Sequence, residues 1–544
     1  AGYRAAKGNT TGGGIIALGD SAYLAADTEN YNLAIGQESM GGSVAGGEYN
    51  TAVGHFTLDA LTSGDFNTAI GYISGSAITT GSNNTGIGNQ SLEYLTTGSD
   101  NTAGGSGGLN ALTEGSSNTA FGRAALGAVT TASNNTALGN HAGLGITTGA
   151  DNIAIGYQAI DAADTEGNNL AIGKAALGGS VAGGEYNVAI GNFALDALTS
   201  ADYNTAVGYF AGSGVTTGGL NTMVGWYSGR SITEGVDNVT IGREAGQLIS
   251  TGDYNTLIGG SAGKGFDTEN HNTALGYEAL RSGSLDGGEY KVAIGNYTLD
   301  AVTSGDYNVA MGYEALTGVT SSSYNTIIGG GAGKNISSGD GRNTAVGLSN
   351  FMDGVALTTG NNNIALGQTC KVSAADATFQ FIIGSNVTSN GNSTTTIGYD
   401  TTEIATNHGS ASWAAVSDER YKKDIEDSSA GLSFVNDLRP VTFKFKQKNE
   451  LDTDVYGYDA NSTDTDGYTD EIAHGFIAQE IKVAIDNHPE IKAGQEIWKE
   501  APEIKGKRQN VSHIGMIPML VKAVQELSAQ VTTLQNEVNT LKGE

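Results

Sequence analysis

The chain has 544 residues with 57 Asp and Glu against 27 Lys and Arg, a formal net charge of -30 at pH 7. That balance opposes the counterion-releasing phosphate contacts nucleic acid requires, so no nucleic acid partner is expected. The 83 glycines far exceed ordinary usage, yet there are only 4 prolines and no Gly-X-Y period, which excludes collagen and Pro-rich linkers.

In chain order, residues 1–30 read as an N-terminal cap or connector. The opening Ala1-Gly2-Tyr3-Arg4 resembles no signal peptide. Residues 31–367 are a repeat built on N-T-A-[IVL]-G. Its Asn recurs at Asn32, Asn50, Asn67, Asn84, Asn101 and onward, through Lys291, to Asn363, almost always 17 residues apart. Longer gaps precede Asn50, Asn187 and Lys291, and each holds the same Gly-Gly-Glu-Tyr insertion, at 46–49, 183–186 and 287–290. Block copying of this kind is tolerated where each unit contacts mainly its neighbours, as in a solenoid.

Within a unit, Thr68-Ala69-Ile70 reads as a short strand, and Gly71 permits a bend or a positive φ. Leu92 to Gly98 reads as a second strand ending in a T-T-G turn, giving two strands and two turns per coil of a parallel β-helix or β-roll. With Thr68 and Ile70 on one face, the core is expected on that side and a small Ala69 wall on the other, where another chain could approach. A helical reading fails, since glycine costs about 1 kcal/mol in each helix interior position. The Asn side chains are expected to stack in a ladder, and about 20 coils at roughly 4.8 Å would reach on the order of 100 Å.

Residues 368–416 break the 17-residue rhythm and read as a distal tip or cap, with Phe379, Phe381 and Trp413 as candidate receptor contacts. The lone Cys370 excludes an intrachain disulfide and is expected to be a small packed side chain. No H-x-x-x-H or C-x-x-C spacing occurs, so neither metal nor cofactor is expected. No run of about 18 apolar residues is present, so no membrane insertion is expected.

A boundary falls near Ser417: all four prolines and only 8 of the 83 glycines lie beyond it. Ser417-Asp418-Glu419-Arg420 reads as a capped helix start, Val441 to Phe445 alternates like a strand, Gly475 to Glu480 leads into a helix, and the Asp-rich stretch 450–470 reads as an exposed loop. The end is a heptad seam over 516–544: Ile517, Val524, Val531 and Val538 at a, Leu520, Leu527, Leu534 and Leu541 at d. Such a seam requires partner helices, and Val at a with Leu at d by itself leans toward a two-stranded coil.

The repeated N-x-A-I-G, as in Asn152-Ile153-Ala154-Ile155-Gly156, is similar to the head repeats of trimeric autotransporter adhesins, which implies a trimeric left-handed parallel β-roll, although adhesin units are shorter. Residues 417–544 resemble the intramolecular chaperone domain at the C-terminus of phage endosialidases, tail spikes and tail fibres. The match rests on S-D-E-R-Y-K-K-D-I at 417–425, H-G-F-I-A-Q-E-I at 474–481 and the helix from Pro518 to Leu541, and departs from the family at Tyr421, where Leu is common. The resemblance implies a homotrimer and a single-turnover self-cleaving dyad, with Ser417 as nucleophile, Lys422 as its base and Asp418 either orienting the pair or capping a helix. A serine hydroxyl needs such a base, and lysine can serve once desolvation lowers its pKa. No activity on external substrates is expected.

The function so implied is a bacteriophage tail fibre in the virion. It would contact a host cell-surface receptor, a glycan or an outer-surface protein, and join other tail proteins through its N-terminus. The alternatives are a trimeric adhesin on a bacterial surface and, below that, a glycan-degrading tail spike, for which no paired carboxylates in a cleft-sized insert are found.

Overall fold

The structure is a computed structural model. It describes residues 2–25, 28–162, 165–179, 184–281, 288–352, 354–408, 414–415, 425–446, 448–451, 453, 460, 472–491, 497–500 and 509–543. The chain divides into two compact units, residues 1–416 and 417–544.

The first unit is a parallel β-solenoid of coils of about 17 residues. The coil from Asn118 to Asn134 shows how it is made. Thr119–Phe121 is its one strand, with Ala120 buried and Phe121 46% exposed, since successive side chains leave opposite faces of a strand. Gly122 follows at φ +140°, and a Cβ there would sit 2.2 Å from the carbonyl oxygen of Gly139 in the next coil. Ala124 and Leu126 are both left-handed, at φ 52° and 50°, and the chain they bend sends Ala125, Leu126 and Val129 into the interior. Turns as well as strands bond from coil to coil: Thr119 N–H donates to Asn135 O (2.8 Å), Leu126 N–H to Ala142 O (2.9 Å) and Thr130 N–H to Thr147 O (2.9 Å). Many backbone polar groups of an irregular coil are thereby paired with the next coil.

Like stacks on like: Thr68 pairs with Thr85, Ala69 with Gly86 and Ile70 with Ile87. The Asn ladder holds the register. Asn118 Oδ1 accepts both the backbone N–H (3.0 Å) and the Nδ2 (3.3 Å) of Asn135, while Asn118 Nδ2 donates to Asn101 Oδ1 (3.0 Å) and to Ala132 O (2.9 Å). Asparagine suits the position because it is short and both accepts and donates, whereas aspartate could only accept.

Two expectations for the coil are corrected. Leu92 to Gly98 is not a strand: Leu92 is left-handed (φ 54°), and the resulting turns bury both Leu92 and Leu95, three residues apart, which strand alternation would send to opposite faces. The faces of the strand are also the reverse of those expected. Ala69 is 1% exposed and Ile70 38%, because apolar side chains from the turns share the narrow interior with the middle strand residue, which is alanine in most coils and Met223, Leu257 or Ile327 in others.

The stack begins at Ile16–Leu18, inside the stretch read as a cap, and runs in parallel to Thr394–Tyr399, inside the stretch read as a tip. There Thr402–Asn407 turns back antiparallel, and residues 414–415 pair with it in turn. The reversal covers the last open strand, which would otherwise template further pairing. Cys370 is buried, and desolvation pushes its thiol up to about 11, so it stays protonated at neutral pH.

The second unit is small and mixed. Its helices are α1 (Leu432–Asn436), α2 (Ala478–Asn487) and α3 (Ile517–Lys542). Two antiparallel pairs accompany them, Val441–Phe443 with Ala473–Gly475 and Trp498–Glu500 with Gln509–Val511. Phe434, Ile481, Ala484, Ile485, Ile497 and Met516 form its core.

Candidate assembly site

α3 carries two kinds of surface. Near its start, Met519 and Ala523 pack toward the core of the second unit, and Glu526 Oε2 accepts the backbone N–H of Leu432 at 2.8 Å. That carboxylate caps α1 from 94 residues away in sequence. It compensates for Gly431, whose position at the helix N-cap has no side chain to offer, and a Cβ on Gly431 would strike Glu526 Oε2 at 2.4 Å.

The heptad seam is uncovered. Leu520 is 45% exposed, Val524 65%, Leu527 49% and Leu534 59%, and every residue from Ser528 to Gly543 is exposed. The helix nonetheless has defined ends, with Pro518 in its first turn and a left-handed Gly543 after its last. At its foot Leu520 also lines an open cavity of about 560 Å³ with Leu438, Val441, Phe476, His513 and Met516. This second apolar surface is continuous with the seam.

Around the helix, polar pairs fix α1 and α2. His488 bonds Asp437 through Nε2 (2.8 Å) and Glu490 through Nδ1 (2.7 Å), and these two carboxylates, Asp437 foremost, raise its pKa. Arg439 pairs with Glu480, which lowers the Glu480 pKa.

Ser417, Asp418 and Lys422, the residues expected to carry chemistry, lie outside the described residues, as do Trp413 and most of the Asp-rich stretch. The chain just beyond them, Ile425 to Ser429, is exposed before Ala430 enters the core. Among the expected tip residues, Phe379 is 53% exposed.

The first unit carries surfaces of its own. Outward strand residues such as Ile87, Phe121 and Leu138 form an apolar stripe. Stacked rings line the position before the ladder residue in some runs of coils, as in Tyr290, Tyr307 and Tyr324, with centroids 4.9 and 5.3 Å apart. The sequence reading overlooked a further pattern: each Gly-Gly-Glu-Tyr insertion is preceded, one coil earlier, by Asp-Thr-Glu at 27–29, 164–166 or 267–269. The Glu of each is buried where most coils have Gly, and Glu29 Oε1 accepts Gly46 N–H from the first insertion at 2.9 Å. The fixed one-coil lead was available in the sequence as its signal.

A protein-family model described as Peptidase_S74, chaperone of endosialidase, matches residues 417–488. The match covers α1 and α2 and stops before α3. No curated protein and no solved structure gives a match.

Proposed function

We propose that this chain is the subunit of a homotrimeric bacteriophage tail fibre, whose solenoid is the mature shaft and whose residues 417–544 assemble it and then cut themselves away. The observation that carries the reading is the uncovered seam of α3 within a unit that matches an endosialidase chaperone. A helix whose residues from Ser528 to Gly543 are all exposed is marginal in water and gains its stability from partner helices. Three chains are assigned from the chaperone and adhesin resemblances, since the residues at a and d alone lean toward two strands.

In the proposed step Lys422 takes the proton of the Ser417 hydroxyl, the oxygen attacks a neighbouring backbone carbonyl, the peptide C–N bond breaks as the leaving amine receives that proton, and water then hydrolyses the ester. The mature fibre would meet its host receptor through the end that includes Phe379 and join the tail through its N-terminus. Denaturing electrophoresis of the full chain beside Ser417→Ala and Lys422→Ala tests the cleavage. Wild type should release a fragment the size of residues 417–544 and the variants should not; full-length bands in all three would remove the claim.

A further inference from the structure

The third insertion coil differs from the other two at the ladder itself. Val292–Ile294 pairs with Thr273–Leu275 before it and with Val309–Met311 after it, which sets Lys291 between Asn272 and Asn308. Its backbone N–H still donates to Asn272 Oδ1 at 3.0 Å. The side chain is fully buried and Nζ has no partner. Glu269, three residues before Asn272, is 1% exposed, and its Oε1 also has no partner, while Oε2 accepts the Asp267 N–H at 2.6 Å. An amine and a carboxylate oxygen are thus both orphaned in one dry place.

The neighbouring carboxamide is altered as well. In the first copy Asn32 Oδ1 accepts two bonds from Asn50, at 2.8 and 3.2 Å. Asn272 Oδ1 receives only the backbone N–H of Lys291, because lysine brings no Nδ2 to the ladder. Nζ lies against Gly288, 1.9 Å from where a Cβ on that residue would stand, and the Gly288 carbonyl accepts Asn272 Nδ2 at 3.3 Å. The amine and the carboxamide therefore meet at one glycine of the insertion, and the Glu269 carboxylate is near enough for its charge to act on the amine.

We propose that Lys291 and Asn272 join in an intramolecular isopeptide bond, with Glu269 carrying the proton. The neutral Nζ attacks Asn272 Cγ. Glu269 Oε1 takes a proton from the attacking nitrogen and delivers it to Nδ2, the Cγ–Nδ2 bond breaks, and ammonia leaves. One amide replaces another, so neither oxidant nor co-reactant is needed. Burial raises the share of the neutral amine the attack requires: desolvation lowers its pKa to about 8 even though Asp306, Glu269 and Glu289 all pull the other way, so the neutral form is a minority at pH 7 and grows as pH rises. The bond would relieve the buried unpaired amine, and it would staple two coils where the insertion interrupts the 17-residue register.

The test is peptide mapping of the full chain by mass spectrometry. A tryptic digest should contain a branched peptide linking the Lys291 and Asn272 segments, lighter than the two linear peptides together by one ammonia, with no cleavage after Lys291. Lys291→Arg, Asn272→Ala and Glu269→Gln should each yield linear peptides. Quantitative cleavage after Lys291 in wild type overturns the proposal whatever the variants do, as does loss of ammonia from Asn272 without a branch. A branch to Asn308 overturns the assigned acceptor, and a branch that survives Glu269→Gln overturns the role given to that carboxylate.

Discussion

At the residue scale the solenoid depends on one side chain doing several jobs at once. Asn118→Ala removes two donated bonds and strips Asn135 of the acceptor for its N–H and Nδ2, all in buried surroundings. Each buried orphan costs about 1–3 kcal/mol, so a local loss of about 2–5 kcal/mol is expected. Hydrogen exchange should show it as lost protection of the Asn135 amide and its neighbours, and unchanged protection would mark the ladder as passive. The rings that precede the ladder residue in some coils answer a different strain. Tyr307 sits at φ 54°, a conformation that costs an L-residue about 1–2 kcal/mol. Its stacks on Tyr290 and Tyr324 return about 0.5–1.5 kcal/mol each. Several coils without rings use residues that tolerate this geometry, such as Asn83, Asp100 and Asn134, although Leu220 takes the same conformation. Tyr307→Asn should therefore lower resistance to proteolysis only slightly, and Tyr307→Val, β-branched at the same φ, severely; equal sensitivity of the two would refute the compensation.

At the element scale, the glycine that ends each strand is where the coils come closest. Gly122→Ala puts a methyl group 2.2 Å from a backbone oxygen that the next coil holds in place, so an insoluble or locally opened product is expected on expression. A soluble variant with wild-type exchange protection would contradict it. In the second unit the packing of α1 on α2 is linked to pH through His488. Its folded pKa lies above the ordinary value of about 6.5, so the stability it contributes is whole below that value and is lost as pH rises through the raised one. Urea unfolding of the second unit, wild type against His488→Gln, should differ at about pH 5.5 and converge at about pH 8; a gap that widens with pH would reverse the sign. Elements differ in how far the sequence exposed them. The strand, the Asn position and α3 were legible because each follows a strict period. The turns were not, because left-handed Leu92 has no compositional mark and two buried leucines three apart resemble a strand end. The cap that Glu526 places on α1 was hidden too, since it joins positions 94 residues apart that no local pattern connects.

At the scale of the whole molecule, the difficulty is one of kinetics. A stack of parallel strands whose neighbours are nearly identical can pair one coil out of step at little cost, and its contacts join residues 17 or more apart. A seed that aligns the chains first removes the slipped arrangements from the search, and the bare seam of α3 is the surface fit for that purpose. Leu534→Asp places a charge at a d position that is 59% exposed in the single chain, so it leaves the fold of the second unit intact and acts only when helices meet. Light scattering should then find monomer or aggregate where the proposed wild-type assembly would give the mass of three chains. Because the proposed cleavage follows assembly, the same variant should stay full length on a denaturing gel. Asn536→Asp, off the seam on the same helix, should assemble and cleave as wild type does. Should Leu534→Asp give the wild-type mass and the wild-type fragment, α3 would not be the seed. A wild-type mass of two chains would instead keep the seed and return the count to what Val at a and Leu at d favour by themselves.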